Sequence, residues 1–150
     1  MKYWLFLHIL GVVVWVGGMF FAYMALRPAA AELLEAPQRL PLWAATLKRF
    51  FGWVWLAVAL ILLSGFGMIA VYGGFAAVRW NVHAMFVLGL FMMGIFAHVY
   101  FASFARLCRF VAAQEWKSAG AALGQIRMLV GTNLLLGLLT IAVALIGRAG

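Results

Sequence analysis

Four runs of this chain are long and apolar enough to cross a bilayer, and they leave little choice of fold: residues 3–26, 50–72, 82–104 and 128–146. A helix needs about 20 predominantly apolar residues to cross the hydrocarbon core. No water satisfies backbone N–H and C=O groups there, so only helices and closed barrels span it. Long unbroken runs, rather than many short alternating segments, exclude the barrel. The expectation is an all-α, integral membrane four-helix bundle with antiparallel up-down topology, forming one transmembrane domain over residues 1–150. Composition agrees, with 69% of residues hydrophobic and 9% charged, against roughly 25% charged in an average soluble domain.

The net charge of +8 is a topology signal. A nucleic-acid reader clusters its cations on one polar face, whereas these lie in the gaps between apolar runs, and nucleic acid is excluded as a partner. Arg27, Arg39, Lys48 and Arg49 lie between runs one and two; Arg106, Arg109, Lys117 and Arg127 lie between runs three and four. Only Lys2, Arg79 and Arg148 fall on the other side. The positive-inside rule puts the eight inside and both termini on the periplasmic side of a bacterial inner membrane. Trp4, Trp53, Trp55 and Trp80 stand near run ends, as an aromatic belt requires. The first run exceeds the roughly 7–15 apolar residues of a signal peptide and is read as a span.

The connections are expected to differ in kind. Arg27-Pro28 should stop the first helix, since proline removes a backbone donor and clashes with the preceding turn. A short surface helix over AAAELLEA would precede Pro37 and Pro41, with LWAATLKRF as the first turns of span two. The last connection reads as extensions of helices three and four with a turn near Glu115–Gly120.

An ionisable side chain inside a span is a candidate functional residue. His8 lies roughly 8 Å below the outer end of helix one, and His83 opens helix three at similar depth beneath the same face. His98 is roughly 22 Å deeper than His83 and cannot share a small site with them. On helix one, His8, Trp15, Gly18 and Met19 share a stripe; on helix three, Met85 and Met92 form a stripe about 200° from His83. Imidazole ligates copper and haem iron, and thioether sulfur suits Cu(I). Each also has a purely structural reading, as interhelix glue or packing. Asn133 is expected to bond another helix, at Ser64 or Thr46, and Arg127 to pair with Glu115. Cys108 is the lone cysteine, which excludes an intrachain disulfide. All three acids, Glu32, Glu35 and Glu115, lie in connections, so no paired-carboxylate or phosphate-loop chemistry is indicated and no catalytic residue is named.

The stretch LHILGVVVWVGGMFF (Leu7–Phe21) resembles the opening helix of the copper-resistance D (CopD-like) membrane proteins. NVHAMFVLGLFMMGIFAHVYF and QIRMLVGTNLLLGL are similar to the same group. A second resemblance is to HemJ-type protoporphyrinogen oxidases, four-helix proteins that bind haem b. Their third helix opens His-x-Lys where this chain reads His83-Ala84-Met85. The first resemblance implies copper binding or transport through an intramembrane site near the periplasmic face, with His8 and His83 as ligands and Met85 or Met19 as soft auxiliaries. The second implies haem b held by His8 and His83; if the chain is an enzyme, it is a haem-dependent membrane oxidoreductase. An accessory structural subunit is the third reading. The partners are the lipid bilayer, with a periplasmic copper donor and a homo-oligomer left open.

Overall fold

The computed structural model describes residues 1–148. Four helices are long and apolar enough to cross a membrane: α1 (Lys2–Leu33), α2 (Ala36–Val71), α3 (Trp80–Ala112) and α4 (Trp116–Ile146). They form an all-helical, multi-pass bundle, and no strand occurs among the described residues. Each helix has more than 30 residues, hence a length of about 45 Å or more, well beyond a hydrocarbon core of about 30 Å. The surplus emerges from the bilayer as helix rather than as loop.

That surplus corrects the first connection. Pro28 does not stop α1. A π-helical segment, Ala22–Leu26, precedes it, and Arg27–Leu33 continues as α-helix with Pro28 in its first turn. A π-turn shifts the bonding register by one residue, which relieves the carbonyl that the proline ring would strike. Only Leu34 and Glu35 then separate α1 from α2. Pro37 occupies the first turn of α2, where a missing N–H costs nothing, and Pro41 follows inside the helix.

The other turns close by a left-handed residue. Gly73 and Gly74 have φ of 97° and 94°, and the Gly74 N–H returns to the Ile69 carbonyl at 2.9 Å. Between α3 and α4, Glu115 N–H reaches the Phe110 carbonyl at 2.9 Å, with Gln114 at φ 56° in the position that favours glycine. The turn occupies residues 113–115 and shares only Glu115 with the expected region, because residues 116–120 are already the first turns of α4.

Short turns make successive helices antiparallel. One end of the bundle therefore carries both termini and the α2–α3 connection; it is called the terminal end below. The other, the basic end, carries the α1–α2 and α3–α4 turns with their arginines and lysines. Helix α1 packs along α2 and α3 along α4, and the two hairpins meet across an aromatic core. Phe51, 2% exposed, stands 5.5 Å from Phe96 and 5.1 Å from Phe104 by ring centroids, and Trp15 stands 6.1 Å from Phe96. Tyr3, Phe6, Leu63, Val87 and Leu135 face outward and exposed, as lipid contact requires.

Candidate functional site

The seam between α1 and α2 brings His8 to its partner. Gly11 allows the close approach: a Cβ there would stand 2.8 Å from the Ile61 side chain and 3.0 Å from the Ala57 carbonyl oxygen. One turn nearer the terminal end, His8 Nδ1 lies 3.0 Å from Ser64 Oγ, and Gly65 lies beneath the imidazole ring. Ser64 is fully buried. Its hydroxyl turns back to the Leu60 carbonyl at 2.5 Å, a bond that uses its single proton. Ser64 Oγ is then the acceptor and His8 Nδ1–H the donor. The tautomer so assigned leaves the Nε2 lone pair free, the arrangement in which a second hydrogen bond fixes a ligating histidine.

His83 has different surroundings. It is exposed, and its ring centroid lies 6.0 Å from that of Phe75. Phe75 belongs to a cluster with Phe66 of α2 and Phe86 of α3. Phe66, which packs on Phe75, stands two residues from Ser64 on α2, about 200° around that helix. The hydrogen-bond partner of His8 is Ser64. Met85 is half-buried, two residues after His83 and about 200° around α3 from it. Met19 is 2% exposed and eleven residues beyond His8, about 16 Å deeper. Each methionine thus stands apart from the histidine on its own helix. His98 is exposed.

Below His8 the interior is tightly filled. A cavity of about 10 Å³ is lined by Trp15, Met19, Phe51 and Asn133, among others. Asn133 Nδ2 donates to the Met92 carbonyl at 3.2 Å, while its buried Oδ1 has no protein partner. Thr140 Oγ1 lies 3.9 Å from Met92 Sδ. The expected bond from Asn133 to Ser64 or Thr46 gives way to this backbone contact, because Ser64 is committed to α1. Nor does Arg127 pair with Glu115, since no ion pair forms among the described residues. A polar group that sequence reasoning passed over lies toward the basic end: Ser103 Oγ donates to Gln125 Oε1 at 3.2 Å, and the Arg106 guanidinium donates to the same oxygen. A serine and a glutamine in apolar surroundings on facing helices were the available signal.

Among the described residues no three His, Cys, Asp or Glu side chains come together to hold a metal ion. Haem b does not fit. The central cavity is far too small for a porphyrin, and the larger cavity of about 320 Å³ has no histidine in its lining. The HemJ-type resemblance finds no support.

No curated protein and no solved structure matches this chain. The family model of copper resistance protein D matches residues 44–146, which takes in most of α2 and all of α3 and α4 and leaves α1 outside the match. That stretch is more than half of the chain, and with four membrane-crossing helices it makes this a copper-related membrane protein: the chain belongs to the copper resistance protein D family.

Proposed function

We propose that the protein carries Cu(I) into or across a bacterial inner membrane, entering at the terminal end and using His8 Nε2 as the first intramembrane ligand. The observation that carries this reading is the His8–Ser64 pair. An imidazole is held inside a membrane span with one nitrogen committed to a serine and the other free, in a chain of a copper-linked family. Copper is the cargo, so a tight cage is not what the task asks for. Passage requires sites that bind well enough to admit an ion and weakly enough to release it. Single donors at successive depths meet that requirement: His83 at the exposed mouth, His8 about 9 Å from the start of α1, then the sulfurs of Met92 and Met19 at about 18 Å and 26 Å from the starts of their helices. Thioethers favour the cuprous ion over Cu(II) and over hard cations.

The test is a Cu(I) competition titration on the purified full chain, paired with copper accumulation in cells expressing it. The expected result is near-complete loss of both in His8→Ala, with intermediate loss in Met19→Leu and Met92→Leu. Wild-type affinity and accumulation in His8→Ala would sink the reading and leave the accessory structural subunit as the better account.

A further inference from the structure

A second cavity lies at the basic end, far from His8. It encloses about 320 Å³ between α1, α2 and α4, and three arginines line it: Arg27, Arg39 and Arg127. Arg27 Nε donates to the Tyr23 carbonyl at 3.2 Å, and its guanidinium stacks 4.5 Å from the centroid of the Tyr23 ring. Arg39 Nη1 reaches the Leu34 carbonyl at 3.4 Å. These contacts orient two of the guanidinium groups and leave further N–H donors on each unused. No carboxylate compensates them, because no ion pair forms among the described residues, and Glu32 and Glu35 are exposed on the α1–α2 turn. Three like charges around one hollow repel each other unless an anion enters.

Two further observations describe that anion. Gly120 and Gly124 of α4 line the hollow, and a Cβ at either would meet nothing within 4 Å, so the floor is open space. The rest of the lining is apolar or aromatic, with Leu40, Trp43, Leu47 and Phe50. The site also sits at membrane-surface depth, since Arg27 follows the apolar run of α1 and Arg127 precedes that of α4. Guanidinium forks match phosphate oxygens, and basic hollows between membrane helices suit lipid headgroups. A ligand with a phosphate for the arginines and acyl chains for the apolar wall satisfies both halves.

We propose that this hollow is a binding site for the phosphate headgroup of an acidic phospholipid, held by Arg27, Arg39 and Arg127. The site is independent of the copper reading, because it shares no residue with the His8 seam.

The experiment uses the full chain in neutral detergent. Native mass spectrometry and thermal unfolding are recorded with added phosphatidylglycerol, cardiolipin or phosphatidylcholine, and with inorganic phosphate at the same concentration. The expected result is a retained acidic-lipid adduct and a midpoint raised by roughly 5 °C at saturating lipid, with neither from phosphatidylcholine. Both effects should vanish in the Arg27→Gln/Arg39→Gln/Arg127→Gln variant. They should vanish also in Gly124→Leu, which puts a side chain into the hollow from a position where a Cβ meets nothing within 4 Å, and which guards against a charge variant that fails to fold. Equal shifts from acidic and zwitterionic lipid, or an adduct that survives in Gly124→Leu, overturn the site. A full shift from inorganic phosphate alone overturns the lipid assignment in favour of a soluble anion.

Discussion

The two ends of this bundle are built on opposite electrostatic plans. At the terminal end, α1 and α2 close on each other through Gly11, and the polar contact between them is an imidazole bonded to a hydroxyl. At the basic end, α1, α2 and α4 stand apart around a hollow with three arginines, and the polar contact between α3 and α4 includes a fourth, Arg106. A cation meets donors and little repulsion at the first end and a field of its own sign at the second. An anion meets the reverse. The difference teaches that one short membrane chain can present a metal-compatible seam and an anion-compatible hollow without a single ion pair among its described residues, because the helices that make both are longer than the membrane.

His8→Ala tests the terminal end most severely. It removes the only imidazole held in the interhelix seam, and Cu(I) affinity in the competition titration is expected to fall by a factor on the order of 100 or more, about 2.7 kcal/mol. Gly11→Val attacks the same seam through packing. The added branches meet the Ala57 carbonyl and Ile61, and an overpacking cost of about 2–3 kcal/mol is expected in equilibrium unfolding. Cu(I) affinity should fall with it only if the seam itself positions His8, which separates geometry from ligand chemistry.

Gln125→Leu is the matching probe of the basic end. It strips Arg106 and Ser103 of their shared acceptor, at an expected cost of about 2 kcal/mol, and leaves Cu(I) affinity unchanged. A loss of copper binding in Gln125→Leu would break the division between the two ends. Ser64→Ala sharpens it instead. Without its acceptor the His8 ring loses its fixed tautomer, and affinity is expected to drop by roughly tenfold, the low end of what outer-sphere partners contribute. Gln114→Gly should have the smallest effect, a gain of about 0.5–1 kcal/mol in thermal unfolding, because glycine adopts the left-handed conformation of that turn without a Cβ penalty.

Much of the fold was legible because a bilayer permits so few solutions. Apolar run length alone determined four spans and their helical state, and the structure keeps all four. What the runs did not disclose was how far the helices continue past the membrane. Pro28 carries a strong local stop signal, and it was overruled by the π-turn at Ala22–Leu26, a register change that no propensity at that site announces. The histidines divide in the same way. Depth along each helix was legible from residue count, which placed His8 and His83 at one level. Rotation about each helix axis was not, because an apolar helix surrounded by lipid has no polar face to indicate which side is inward. His8 turned toward Ser64 of α2, and His83 toward Phe75 of the α2–α3 connection.

The sequence by itself determined the membrane, the helix count, the asymmetry of charge between the two ends, and the presence of an imidazole within a span. Each of these follows from one-dimensional quantities, run length and residue position, acting against a solvent of known thickness. Only the tertiary structure decided what His8 touches and that Arg27, Arg39 and Arg127, from three different helices, surround one hollow. Those outcomes depend on azimuth and interhelix distance. Both are set by where glycines let backbones approach, at Gly11, and where they leave open space, at Gly120 and Gly124.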